Sequence, residues 1–189
     1  QNSSMIVATT RQRTYDAVLR KTTRDYETGV AFAAAGRTVL GTLWNGGGVT
    51  LTLLSARAGL TKITGAGAQV WIDLMEITTE PTGGATITAM PRLLDDTAAV
   101  SVVKRAPGGG AAETGAPYRS LTYQLGVTAA DPTTAPPPIA RLYDLFAPMS
   151  PPYLESYIEI PAGRGVAIVL DANGAATVRA LAEFSFMEV

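Results

Sequence analysis

The sequence predicts an all-β fold: an antiparallel sandwich of two sheets. Three observations carry this. Apolar residues alternate with polar ones in several short runs, the period of a half-buried strand. Turn signals built from Gly, Pro and Asn separate the runs about every 8 to 15 residues. Long amphipathic helical patterns, which a parallel α/β sheet would need, are missing.

The N-terminal stretch differs from the rest. Arg11, Arg13, Arg20, Lys21 and Arg24 stand against Asp16, Asp25 and Glu27, and Tyr15, Val18 and Leu19 are its main large apolar residues. That is too sparse for a core strand. Residues 1–28 are therefore expected to form an arm, extended or partly helical, and residues 29–189 the β-sandwich domain. Thr38 to Trp44 reads as a strand ended by Asn45-Gly-Gly-Gly48. Val49, Leu51 and Leu53 then alternate with Thr50 and Thr52. Ser55 to Gly67, rich in Ala, Gly and Thr, is expected to be a loop with room for one short strand or turn. Gln69 to Ile77 is the clearest strand, with Val70, Ile72 and Leu74 on one face and Gln69, Trp71, Asp73 and Met75 on the other. Pro81 to Gly84 turns the chain into a strand from Ala85 to Met90.

Arg92 to Thr97 fits no single pattern, and Val100 to Lys104 reads as a short strand. Pro107 to Pro117 contains four glycines and is expected as a loop. Leu121, Tyr123 and Leu125 alternate again. Asp131 to Pro138 holds four prolines, which excludes a central strand. Ile139, Leu142, Tyr143 and Phe146 lie at helical spacing, so a short helix is expected there. The C-terminal block from Leu154 to Val189 reads strand, turn, strand, turn, strand. Leu154, Ile158 and Ile160 share a face, as do Val178, Ala180, Ala182, Phe184 and Phe186. The opposite face of the last strand mixes Arg179, Glu183 and Ser185 with Leu181 and Met187, which suits a sheet covered by a neighbour. Together this is a jelly-roll type of sandwich with at most one or two short helices; an immunoglobulin-like topology is the alternative.

Composition narrows function by exclusion. The 189 residues contain no Cys and no His. Disulfides, thiolate chemistry, Ser-His-Asp triads and His- or Cys-ligated zinc therefore lie outside this chain's reach. Net charge is −1, which gives no general pull toward nucleic acid or an anionic membrane. No apolar run reaches the roughly 18 to 20 residues of a membrane helix, and no secretory signal pattern is visible. Charged residues make up 16%, against a usual share of roughly 25%. Such a surface suits a chain packed against other protein, and equally a β domain with Thr-rich solvent faces.

Weak motifs read as structure. Gly65-Ala-Gly67 lacks the third Gly and the following helix of a dinucleotide loop. Asn45 to Gly48 and Pro107 to Gly110 lack the Lys-Ser/Thr of a P-loop. Asp95-Asp96 lacks the alternating ligand spacing of a calcium loop. Glu76, Glu80, Glu155, Glu159 and Glu183 show no spacing that favours a glycosidase pair. No catalytic, cofactor or metal residues are expected. The expected partner-binding residues are Arg11, Arg13, Tyr15, Arg20 and Arg24 in the arm, with Tyr153, Tyr157, Leu181 and Met187 on outer strand faces.

Three stretches resemble a known group: Ile158-Glu-Ile-Pro-Ala-Gly-Arg-Gly-Val-Ala-Ile168 as a late hairpin, Thr38 to Asn45, and Gln69 to Met75. They resemble the jelly-roll head-decoration, head-fibre and spike-base proteins of tailed bacteriophages. The resemblance implies a non-enzymatic virion protein without cofactors on the capsid surface. It also implies a homo-oligomer, a trimer by preference, that docks through its arm onto other virion proteins such as the major capsid protein. A carbohydrate- or receptor-binding module of a tail fibre or adhesin is the alternative.

Overall fold

The computed structural model describes residues 12–18, 29–32, 36–64, 69–105, 113–124, 143–145, 157–172 and 176–189. No helix lies among them. The strands are β1 (Arg13–Val18), β2 (Gly29–Phe32), β3 (Gly36–Asn45), β4 (Leu51–Thr64), β5 (Gln69–Ile77), β6 (Ala85–Ile87), β7 (Met90–Pro91), β8 (Val102–Arg105), β9 (Glu113–Gln124), β10 (Tyr143–Asp144), β11 (Ile158–Ile160), β12 (Arg164–Ala172) and β13 (Ala176–Glu188).

The strands form two antiparallel sheets. Sheet one runs β10-β4-β13-β1-β7; β11 lies beside β10 on the same edge of β4, and β2 continues β1 along β13. Sheet two runs β6-β8-β3-β12-β5-β9. The inner four columns are β1-β13-β4-β11 and β3-β12-β5-β9. Along these eight columns the chain changes sheet at every step except β5 to β9. That is the eight-strand path of a jelly roll. The excursion between β5 and β9 adds β8 and β6 beyond β3, and β7 beyond β1, so it widens both sheets at once.

The core sits between the sheets. Tyr15, Leu53, Phe184 and Phe186 from sheet one meet Leu43, Ile72, Leu74, Ile168 and Leu170 from sheet two. Burying each such side chain stabilises by about 1.5–3 kcal/mol. A smaller apolar cluster, Trp44, Met75, Ile77, Ala167 and Val169, lies on the outer face of sheet two. β12 is therefore buried on both faces, which is why Val166 to Leu170 reads as a continuous apolar run.

Several expectations are corrected. Residues 13–18 are not part of a peripheral arm: β1 is hydrogen-bonded to β13 on one side and β7 on the other. Its sparse sequence suffices because Tyr15 and Ala17 face inward while Thr14 and Asp16 face out. Ser55 to Thr64 is no loop but the longer part of β4. Ser185 pairs Ser55 and Phe186 pairs Leu53, leaving Leu54 as a bulge. The bulge reverses the side-chain parity, so Leu51 and Leu53 point inward before it and Ala56 and Ala58 after it.

Residues 113–117 belong to β9, not to a loop. Leu74 pairs Arg119 and Glu76 pairs Thr114, so Gly115 to Tyr118 form an irregularity in an edge strand, where a Pro is tolerated. Tyr143 and Asp144 pair with Ala58 and Arg57 as strand rather than helix, and Leu145 is buried beside them. The run from Ala85 to Met90 splits, with β6 in sheet two and β7 in sheet one. Finally, the Pro161 to Arg164 turn is not a hairpin. β11 pairs only with β4 and β12 with β3 and β5, so the turn carries the chain across the sandwich.

That crossing explains its glycines. Gly163 has φ 72°, a conformation that side chains disfavour. At Gly165 a Cβ would stand 2.5 Å from the Leu43 carbonyl oxygen and 2.9 Å from the Trp44 ring. Asn45 pins the same end. Its Nδ2 donates to the Ile160 carbonyl at 2.8 Å, its Oδ1 accepts from Gly47 N–H at 2.9 Å, and its carbonyl accepts from Gly163 N–H at 2.8 Å. Val189 and Thr50 exchange both backbone hydrogen bonds, so the final strand is integral to sheet one, as the sequence implies.

Candidate association surface

The expected partner-binding residues that lie among the described ones do not gather in one place. Tyr15 is corrected outright: it is fully buried, its ring stacks on Phe186 at 5.5 Å between centroids, and its hydroxyl donates to the Thr97 carbonyl at 3.0 Å. An aromatic residue held this way is a core anchor. Arg13 lies in β1 with its Nε 4.0 Å from Asp96 Oδ1. Tyr157 is 48% exposed beside β11, as alternation implies. Met187 is half-buried on the outer face of sheet one, and Leu181 lies in β13 opposite Gly59. Arg11, Arg20, Arg24 and Tyr153 lie outside the described residues, as does Gly65-Ala-Gly67.

The outer face of sheet one carries a polar ladder. Arg92 forks onto Asp16, Nε to Oδ2 at 2.8 Å and Nη2 to Oδ1 at 3.1 Å. Ser185, opposite Asp16 on β13, donates to Asp16 Oδ1 at 2.5 Å. One step along β13, Glu183 pairs with Arg57 of β4 at 2.9 Å. The Arg92 guanidinium, helped by the Ser185 hydroxyl, holds the Asp16 carboxyl below its usual range even though partial burial pulls the other way. The same bond pushes Arg92 further up.

Two of the carboxylates considered as an acid pair are held in structural contacts on different sheets, and Glu155 lies outside the described residues. Glu76 pairs with Arg164 at 3.3 Å on sheet two, and Glu183 with Arg57 on sheet one. Among the described residues no three His, Cys, Asp or Glu are gathered as a metal site would gather them. Trp44 is buried in the outer cluster of sheet two, whereas Tyr157 is exposed beside β11 of sheet one.

One corner stands apart. Met90, Leu93, Leu94 and Val100 are 61%, 52%, 87% and 57% exposed. All four lie between β6 and β8, where the chain crosses from sheet one to sheet two. The backbone that displays them is firmly held. Arg92 N–H donates to the Thr14 carbonyl at 2.9 Å, and Asp96 N–H to the Leu93 carbonyl at 3.0 Å. Tyr15 holds Thr97. Glu188, 4% exposed, accepts from Val100 N–H at 3.0 Å and Ser101 N–H at 2.7 Å. Arg13 and Glu188 are register partners, so the Arg13–Asp96 and Glu188–Val100 contacts place both ends of residues 96–100 at one end of sheet one.

Sequence reasoning missed this corner. Its signal was the pair Leu93-Leu94 followed by Asp95-Asp96, two apolar residues fitting neither strand nor helix period. Compared with family models, curated proteins and solved structures, the chain matches none.

Proposed function

We propose that this chain is a non-enzymatic structural protein of a virion, a jelly roll that decorates or stabilises a capsid and acts as a homo-oligomer, three copies by preference. The observation that carries the reading is the strand order, β1-β13-β4-β11 over β3-β12-β5-β9. This path is shared by viral coat proteins, lectins and cupins. The support is one of architecture, and function rests on what the fold displays. A His-ligated cupin centre needs side chains the sequence does not contain. What the fold displays instead is a polar sheet face beside an apolar corner, which suits association with protein. The docking role expected of residues 11–26 passes in part to other surfaces, since β1 is committed to the sandwich.

The test is co-assembly. The chain is expressed together with its own genomic neighbours, and any shell particles are separated by sedimentation. Co-migration of the chain with the particles is expected. Particles that form while the chain stays in the soluble fraction overturn the reading.

A further inference from the structure

We infer that Trp71 and Asp73, on the outer face of sheet two, form a socket for an arginine side chain of a partner protein. The inference deepens the structural reading above by naming the kind of partner group, and it rests on that reading. Both residues share the face of Met75, which belongs to the outer cluster. Two residues apart on one strand, they stand roughly 7 Å from each other. Register fixes their surroundings: Arg37, Asp171 and Trp71 form one row across the sheet, and Val39, Val169 and Asp73 the next. Trp71 and Asp73 are half-buried, and Ser120, opposite Asp73 on β9, is exposed.

The charges of this face point to the occupant. Asp171 already faces Arg37 at 3.8 Å. Asp73 has no such answer: among the described residues no cation pairs with it, and its Oδ1 is buried without a hydrogen-bond donor. Lys104 lies three strands from β5 and donates to the Pro81 carbonyl at 2.7 Å. Arg164 is taken by Glu76 at 3.3 Å. Arg119 is the register partner of Leu74, a core residue, and Glu113, opposite Ile77, adds negative charge further along β5. An ionised carboxylate drawn out of water without a partner is costly, so a surface that keeps one is complementary to a cation.

The indole beside it selects the cation. A guanidinium stacks on an aromatic face and forks onto a carboxylate with the same planar group, which an ammonium does not. Half-buried Val39, next to Val169 in the Asp73 row, offers apolar contact to the stem of such a side chain. A neutral sugar would stack on Trp71 and leave the charge of Asp73 unanswered.

The measurement is an NMR titration of the full chain with a capped Gly-Arg-Gly peptide, beside the same peptide carrying neutral citrulline and a set of common hexoses. The arginine peptide should move the Trp71 indole and Asp73 amide signals and saturate in about the millimolar range. The citrulline peptide and the hexoses should leave both signals in place. Asp73→Asn and Trp71→Leu should each weaken binding about fivefold or more, the scale of one cation–aromatic contact. Asp73→Asn keeps the side chain's shape, so the test stands even where Trp71→Leu does not fold. Asp95→Asn, on the exposed crossing, should change nothing. Silence toward the arginine peptide overturns the inference, as does an equal response to citrulline, an equal loss in Asp95→Asn, or binding of a hexose alone. Shell co-assembly that survives both socket substitutions sinks the inference and keeps the structural reading. A chain that takes the arginine peptide but joins no shell does the reverse.

Discussion

Two crossings between the sheets do the same topological job in different ways. The crossing from β11 to β12 takes Pro161 to Gly163, with Gly163 N–H bonded to the Asn45 carbonyl and Gly165 pressed against Trp44. It exposes only small or polar groups and Pro161. The crossing from β7 to β8 takes Arg92 to Ser101, is held by contacts from β1 and β13, and turns Leu93, Leu94 and Val100 to water. A short turn would satisfy the path. The longer one therefore carries surface that the fold does not require, and surface of that kind is where association is sought.

The sharpest way to break the comparison is at the tight crossing. Gly165→Val should cost several kcal/mol, or prevent folding, because its Cβ must displace backbone rather than a flexible side-chain end. Denaturant titration measures this, and a loss below 1 kcal/mol would show that the crossing has slack. Next in size is Glu188→Ala. It leaves the Val100 and Ser101 amides without their acceptor, and about 1–3 kcal/mol of stability should go with them. Hydrogen exchange at those two amides should accelerate more than at Ile168. Uniform acceleration would mean that Glu188 does not hold the corner in particular.

Tyr15→Phe removes only the bond to Thr97 and should cost about 1 kcal/mol. The smallest effect belongs to the polar ladder. Asp16 titrates lower when folded than unfolded, so its pair with Arg92 adds stability above the usual carboxylate range, and that stability is lost as pH falls through the folded value. Both side chains are more than one-third exposed, so the pair contributes no more than about 1 kcal/mol near neutrality. Asp16→Asn should be slightly less stable than wild type at pH 7 and equal to it near pH 2. A gap that persists or widens in acid would show that the charge is not the cause.

The sequence made β5 legible because Gln69 to Ile77 keeps strict alternation from end to end. β4 was legible only to Leu53. Beyond it the Leu54 bulge swaps the inward parity, so Ala56 and Ala58 look like loop residues unless the partner strand is known. β1 was hidden for a related reason: two inward residues, Tyr15 and Ala17, suffice when strands lie on both sides, and pairing of that range leaves no local trace. Tyr157 could be placed outside from alternation alone. Tyr15 could not be placed inside, since a strand of six residues beside five cations and three acids reads as solvated chain. The corner at Met90 to Val100 escaped because exposure there is set by where β1 and β13 hold the backbone, not by any period in the segment itself.

The place of β13 has a consequence for synthesis. This strand lies between β4 and β1, and the bond from Ser185 to Asp16 spans 169 residues. As the chain leaves the ribosome, β1 emerges well before its long partner and waits for it while the residues between them are made. During that interval β1 and β4 present unpaired edges, and sheet one has no middle. Closure is then a late event governed by a long-range pairing, the slow step expected of folds rich in distant contacts.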